Sequence, residues 1–139
     1  MRILFLLVLM ACSGSQASPP TQLAAAPEDG QAVAVFAGGC FWCMEGPFEA
    51  LSGVVSVESG YTGGPERQPA YMAVAKGQTG HFEAVRVVYD PDVITYKRLL
   101  STFWRNIDPT QSNGQFCDKG DQYRSAIFVD GEVALKAAE

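Results

Sequence analysis

The sequence has 139 residues, of which 47% are hydrophobic, and it carries 10 Lys and Arg residues against 15 Asp and Glu residues, a formal charge of −5. This length supports one globular domain with its own core and is too short for two. The acidic balance offers no basic surface for a phosphate backbone, which argues against nucleic-acid binding.

Residues 1–11 are predicted to be a signal peptide. Their apolar run is shorter than the about 20 residues that a transmembrane helix needs. Residues 9–12 resemble a bacterial lipobox, in which cleavage before the cysteine is followed by lipidation, so Cys12 is a lipidation candidate. Ordinary secretory cleavage after Ala17 is the alternative. Both interpretations predict an exported protein of the periplasm or cell envelope, and the first predicts a lipid anchor.

Residues 12–30 are rich in Ser, Pro, Ala and Gln and show no apolar periodicity, which is typical of a flexible tether. The folded domain is therefore expected at residues 31–139. Alternation and β-branched content predict strands near residues 31–37, 54–60, 82–89 and 124–129.

Helical patterns lie between some of these strands. The clearest helix is predicted to begin after Thr95, a suitable N-cap. Its apolar face would consist of Tyr96, Leu99, Leu100, Phe103 and Ile107. Pro47 disfavours one continuous helix after Cys40 and is predicted to start a second short helix. Two βαβ units in succession predict an α+β fold: a ferredoxin-like plait, a mixed sheet with helices packed on it.

Residues 38–45 contain the most distinctive stretch of the chain. Cys40 follows two glycines at the end of the first predicted strand and precedes a helical segment. A helix N-terminus carries partial positive charge and favours an anion, and the thiolate is the reactive form of cysteine. Gly38 and Gly39 would let the backbone bend sharply and leave the sulfur accessible. The alternative is a small core cysteine.

The stretch Gly38-Gly39-Cys40-Phe41-Trp42 resembles the signature of the peptide methionine sulfoxide reductase A family. Later stretches resemble that family's other blocks in the same order, at residues 59–64, 79–85 and 120–127. The resemblance covers roughly residues 31–130.

The resemblance implies the α+β fold and thiol-dependent reduction of methionine-S-sulfoxide, free or protein-bound, to methionine. This is a repair activity for oxidised proteins. The family normally continues beyond the point where this chain stops, with a segment that often carries a resolving cysteine. Residues 31–139 are therefore expected to be a C-terminally truncated catalytic domain.

Sulfoxide reduction needs a nucleophile for the sulfur and a proton for the departing oxygen. Cys40 is the candidate nucleophile and Glu83 the candidate acid. Alternation places Glu83 on the same side of its strand as Val85, Val87 and Tyr89. If that side faces the core, desolvation raises the carboxyl pKa toward neutrality, as a proton donor requires. The alternative is a solvated glutamate at a strand start.

The resemblance implies that the phenols of Tyr61 and Tyr123 hold the sulfoxide oxygen and that Asp118 helps to orient this network. Simple packing for the tyrosines and a turn position for the aspartate are the alternatives. Phe41 and Trp42 would provide apolar walls for the S-methyl group, although both can equally be core residues of the following helix.

Attack by Cys40 would leave a sulfenic acid, which a second thiol converts to a disulfide. Cys43, at C-x-x-C spacing, and Cys117, in the loop that carries Asp118, are the candidates for that thiol. An external dithiol, a thioredoxin-like protein, would then regenerate the enzyme, which is expected to act as a monomer without a bound cofactor.

Other functions are weighed against this one. Zinc sites usually pair two short-spaced ligand couples, whereas the cysteines and His81 supply only one. Haem attachment fails because Met44 stands where C-x-x-C-H needs histidine. A general C-x-x-C thiol-disulfide oxidoreductase remains an alternative, although it does not need Glu83. A non-catalytic exported lipoprotein module is the third hypothesis.

Overall fold

The computed structural model describes residues 26–139. The predicted signal peptide, Cys12, and most of the predicted tether lie outside the described residues. The elements are β1 (Ala32–Gly38), α1 (Phe41–Glu49), β2 (Val54–Thr62), α2 (Tyr71–Ala75), β3 (Phe82–Tyr89), α3 (Tyr96–Arg105), β4 (Gly114–Gln115), β5 (Asp118–Lys119), a 3-10 turn (Asp121–Tyr123), β6 (Ser125–Phe128) and α4 (Glu132–Ala138).

Four strands form the main sheet in the order β2-β3-β1-β6, and β4 and β5 form a separate hairpin. The helix α1 connects β1 to β2, and α3 lies in the connection from β3 to β6, so the predicted α+β plait is confirmed. One detail of that prediction was wrong. The sheet is not mixed, because every pair of its neighbouring strands is antiparallel. The return strand β3 lies between β1 and β2 and separates the two strands that a βαβ unit would leave parallel.

The core lies between one face of this sheet and the helices α1 and α3. Phe36 of β1 is completely buried, and its ring stacks on Phe48 of α1 at 5.1 Å and on Phe103 of α3 at 5.2 Å. The two helices are thereby fixed against the same strand, and the end of β1 that leads into α1 is held rigidly.

The helix α1 is continuous from Phe41 to Glu49 and contains Pro47, so the prediction of a second helix starting at this proline was wrong. Met44 and Phe48 are buried on either side of the proline in the same core. This packing holds the helix together across the hydrogen bond that the proline cannot donate.

The helix α3 begins as predicted: the hydroxyl of Thr95 accepts a hydrogen bond from the backbone N–H of Arg98 at 3.3 Å. Ile107 is buried as predicted but lies beyond the helix, which ends at Arg105. Across residues 26–139, each helix is too short or too polar to span a bilayer.

Candidate active site

The turn from β1 to α1 depends on its two glycines. Gly39 has a φ of +93°, a conformation that side chains disfavour, and an added β-carbon there would lie 2.7 Å from Cβ of Gln115. At Gly38 an added β-carbon would lie 2.7 Å from Sδ of Met44. Cys40 is the N-cap residue of α1 and is half-buried. The predicted position of Cys40, between a strand and a helix, is therefore confirmed.

Glu83 lies in β3 on the face that packs against the helices, with Val85 and Val87, as the alternation predicts. Its side chain is only 2% exposed, so the alternative of a solvated glutamate was wrong. Its Oε2 accepts a hydrogen bond from the backbone N–H of Phe41 at 3.2 Å. Because Phe41 follows Cys40 directly, this bond holds the carboxyl beside the turn that carries the thiol.

The surroundings of Glu83 favour its neutral, protonated form. Burial raises the pKa of this carboxyl most, the hydrogen bond from Phe41 opposes the rise, and the neighbouring Asp118 carboxylate adds to it. The net effect is a raised pKa. A glutamic acid that keeps its proton nearer to neutral pH is able to donate it to a substrate oxygen.

The two predicted phenols are the next neighbours of this carboxyl. Tyr61 is the direct partner of Glu83 in the pairing of β2 with β3. Burial makes the largest contribution to raising the pKa of Tyr61, which reaches about 12, and the charge of Glu83 makes the next largest. Burial and then Glu83 and Asp118 also raise the pKa of Tyr123, in the 3-10 turn. The structure thus brings all four predicted acid and phenol groups together, and both tyrosines keep their protons as hydrogen-bond donors.

The thiols of Cys40 and Cys43 also lie together. The backbone N–H of Cys43 donates to the carbonyl of Cys40 at 3.0 Å, within the first turn of α1. Partial burial and then the adjacent Cys40 raise the pKa of the Cys43 thiol. Cys117 is exposed in the turn between β4 and β5, next to Asp118, and the three cysteines within residues 26–139 are free.

The predicted aromatic pair has two different environments. Phe41 is buried, and its ring lies 5.7 Å from that of Tyr61 and 5.5 Å from that of Trp42. Trp42 is 65% exposed, so the alternative that it is a core residue was wrong for this side chain. Phe41 belongs to the hydrophobic core, so the alternative of a core residue is confirmed for this side chain, whereas Trp42 is open to solvent.

Sequence reasoning missed two residues of this region. Tyr71 begins α2, and its phenol contributes to the raised pKa of both Tyr61 and Tyr123. Gln115 is 1% exposed, exchanges two hydrogen bonds with the backbone of Asp108, and fills the space that Gly39 leaves. Tyr71 lies in a segment too short to show a helical pattern. The role of Gln115 depends on a contact between distant segments of the chain. Neither residue could therefore be recognised from the local sequence.

No group of three or more metal-ligating side chains comes together within residues 26–139. The ring of His81 is buried, and its Nε2 lies 2.8 Å from the backbone oxygen of Glu66 and 3.3 Å from that residue's carboxylate. The imidazole is therefore engaged by a loop rather than by the cysteine pair.

The fold and this arrangement of groups define a candidate thiol-based redox site on an α+β plait: a cysteine pair at a helix N-terminus, with a buried carboxyl and two phenols beside it. The family model for peptide methionine sulfoxide reductase matches residues 32–139. The chain therefore belongs to the peptide methionine sulfoxide reductase family. This membership does not favour the hypothesis of a non-catalytic lipoprotein module.

Individual relatives agree with the family model. The chain is 53% identical over 106 residues to the peptide methionine sulfoxide reductase MsrA of Ligilactobacillus salivarius, a match that covers 76% of this chain and 62% of that protein. Among solved structures, it is similar to methionine sulfoxide reductase A of Corynebacterium diphtheriae, with a TM-score of 0.74, 35% identity, and coverage of 80% of this chain and 56% of that one.

It is also similar to the reduced form of Mxr1 from Saccharomyces cerevisiae, with a TM-score of 0.73, 37% identity, and coverage of 78% of this chain and 64% of that one. The chain spans about three fifths of the length of the curated relatives it matches.

Proposed function

We propose that this protein reduces methionine-S-sulfoxide, free or protein-bound, to methionine with electrons from an external dithiol. The observation that carries the proposal is the contact between Glu83 and the turn of Cys40. A buried carboxyl with a raised pKa accepts the N–H of Phe41 at 3.2 Å, so a proton donor is fixed beside a candidate nucleophile. The relatives named peptide methionine sulfoxide reductase support the same substrate.

The reaction begins with attack of the Cys40 thiolate on the sulfoxide sulfur. Glu83 donates its proton to the sulfoxide oxygen, which is a poor leaving group until it is protonated. Tyr61 and Tyr123 donate hydrogen bonds to this oxygen, and Asp118 orients that network. The oxygen passes from the substrate to the cysteine: thiol and sulfoxide become sulfenic acid and thioether, so the substrate is reduced and Cys40 is oxidised.

Cys43 then condenses with the sulfenic acid, forming a Cys40–Cys43 disulfide and releasing one water molecule. The position of Cys43 supports this assignment, because its backbone N–H donates to the carbonyl of Cys40 at 3.0 Å and its thiol is close enough for Cys40 to raise its pKa. A thioredoxin-like dithiol reduces the disulfide and restores both thiols. No prosthetic group or metal takes part in these steps. Cys117 is the alternative resolving thiol.

The decisive experiment is reduction of methyl sulfoxides of defined S and R configuration by the purified chain, with a small dithiol as reductant. We expect turnover of the S epimer, no turnover by Cys40→Ser, and strongly slowed turnover by Glu83→Gln. The cysteine pair also favours a second candidate function, general disulfide exchange, so a disulfide substrate is assayed in parallel. Exchange of disulfides without any sulfoxide reduction would contradict the proposal.

We further propose that the protein acts outside the cytoplasm as a lipid-anchored monomer. The support is the pattern of residues 1–12, a short apolar run followed by the lipobox-like sequence that ends in Cys12. Labelling of expressing cells with a tagged fatty acid tests the anchor. Label in the wild type and none in Cys12→Ser is expected, whereas secretion without label would favour cleavage after Ala17.

A further inference from the structure

Gln122 links the 3-10 turn of the candidate site to the helix α2. Its side chain is only 4% exposed. Its Nε2 donates a hydrogen bond to the backbone carbonyl of Ala75 at 2.9 Å, across 47 positions of the chain. Ala75 is the last residue of α2, where the final carbonyls of a helix need partners from outside the helix. One buried amide therefore joins the end of α2 to the turn Asp121–Tyr123.

Two glycines make room for this amide, one on each of the linked segments. Gly77 follows α2 with a φ of +65°, and Gly120 precedes the 3-10 turn with a φ of +131°, conformations that other residues rarely adopt. An added β-carbon at Gly120 would lie 2.5 Å from Oε1 of Gln122, and one at Gly77 would lie 3.3 Å from the same atom. The amide is therefore closely enclosed and held in one position.

Stability alone does not explain an amide at this position. Oε1 of Gln122 is buried and has no hydrogen-bond partner among residues 26–139. A buried acceptor without a partner costs free energy, and an apolar side chain of the same size would avoid this cost. The feature that distinguishes glutamine from such a residue is its donor nitrogen, so the role of Gln122 depends on what that nitrogen holds in place.

The phenol of Tyr123 is the group of the site that this amide can control. Tyr123 follows Gln122 directly in the 3-10 turn. The amide is also close enough to the phenol to lower its pKa, although burial, Glu83 and Asp118 raise this pKa overall. The same side chain thus has a fixed partner in α2 and an electrostatic influence on a candidate donor of the site.

We infer that Gln122 is a positioning residue: by bonding to the carbonyl of Ala75, it fixes the 3-10 turn and holds the phenol of Tyr123 where it donates to the sulfoxide oxygen. The inference rests on the proposed function and adds a residue to it. A donor stabilises a transition state most when it is fixed in advance, because reorientation during the reaction costs free energy. A three-residue 3-10 turn has hydrogen bonds of poor geometry, so the bond to α2 supplies rigidity that the turn lacks.

The first test is a double-mutant cycle on kcat/KM for a methyl S-sulfoxide. Gln122→Leu removes the amide at similar volume and is made in the wild-type chain, in Tyr123→Phe and in Tyr61→Phe. Gln122→Met, with an unbranched side chain, is the second variant in case leucine disturbs the fold. Gln78→Leu, the same substitution at an exposed position after α2, is the control.

The second test is hydrogen exchange, which needs no turnover. The backbone N–H of Tyr123 donates to the carbonyl of Gly120 at 3.0 Å, so its exchange rate measures the order of the 3-10 turn. The amides of α3 measure global unfolding in the same sample.

We expect Gln122→Leu to lower kcat/KM about tenfold in the wild-type chain and in Tyr61→Phe, but less than about twofold in Tyr123→Phe, where no hydroxyl remains to be misplaced. The N–H of Tyr123 should exchange about tenfold faster in Gln122→Leu while the amides of α3 keep their rates. Gln122→Met should show the same pattern, and Gln78→Leu should change neither quantity.

Three results would overturn the inference: full activity in Gln122→Leu, an equal loss in the Tyr123→Phe background, or an unchanged exchange rate at Tyr123. Faster exchange at Tyr123 combined with no sulfoxide turnover by the wild-type chain would support the anchoring of the turn by Gln122 and contradict the proposed function.

Discussion

Replacement of Glu83 by glutamine should lower activity and raise stability at the same time. Glutamine keeps the size of the side chain and an oxygen that accepts the 3.2 Å hydrogen bond from the N–H of Phe41. It loses only the ionisable proton. The substitution therefore separates the proposed catalytic role of the carboxyl from its role in packing.

The loss of activity follows from the missing proton donor. General acid catalysis contributes about 100- to 10,000-fold, so kcat/KM for an S-sulfoxide should fall at least about 100-fold in Glu83→Gln. In the wild type, kcat/KM should decline as the pH rises through the raised pKa of Glu83, since the carboxylate has no proton to give. The variant should lack this decline.

The gain in stability follows from the raised pKa. Burial favours the protonated carboxyl in the folded state, so the native protein binds this proton more tightly than the unfolded chain, whose glutamate pKa is about 4.3. Stability therefore falls as the pH rises from about 4.3 to the raised folded pKa and stays lower above it. Each unit of pKa displacement corresponds to about 1.4 kcal/mol, and about 1 kcal/mol shifts the Tm of such a domain by roughly 3–6 °C.

Thermal unfolding at pH 8 and at pH 4 should show this effect. We expect the Tm of Glu83→Gln to exceed that of the wild type at pH 8 and the difference to vanish near pH 4. The exposed Glu49 at the end of α1 provides the matched control, since Glu49→Gln should change neither activity nor this Tm difference. A variant that keeps full activity, or that is less stable than the wild type at pH 8, would refute the reasoning.

Three further predictions follow from the site and its turn. Cys43→Ser should release one equivalent of methionine per chain but lose multiple turnover with a thioredoxin-like reductant. Cys117→Ser should keep multiple turnover. The opposite pattern in the two variants would identify Cys117 as the resolving cysteine. Tyr61→Phe should lower kcat/KM about tenfold by removing a donor whose pKa is raised to about 12, and this loss should be constant from pH 6 to pH 9 (roughly the range in which the phenol stays protonated). Gly39→Ala should lower the free energy of unfolding by about 2–4 kcal/mol, measured in urea, because strain at φ +93° is combined with a clash at 2.7 Å. Gly30→Ala, with a φ of +88° and no atom within 4 Å, should cost only about 1 kcal/mol and serves as its control.

Local patterns predicted the elements that bear strong periodicity. Alternation placed Glu83 on the buried face of β3, and the polar hydroxyl of Thr95 marked the start of α3, because side-chain direction in strands and capping at helix ends are local properties. The same local reasoning failed at Pro47. There the core contacts of Met44 and Phe48 outweigh the missing hydrogen bond, and these contacts come from distant parts of the chain.

The sequence by itself determined the family of this protein and the candidate thiol site: two glycines before Cys40, a cysteine three positions later, and the resemblance that predicted the family. Only the tertiary structure decided the environment of that thiol. Glu83 is 42 positions from the residue whose N–H it accepts, and Gln115 reaches Gly39 from a separate hairpin. A pKa depends on burial and on neighbouring charges, and an aromatic ring is open or buried according to what packs around it. These properties arise only when remote segments are brought together by the fold.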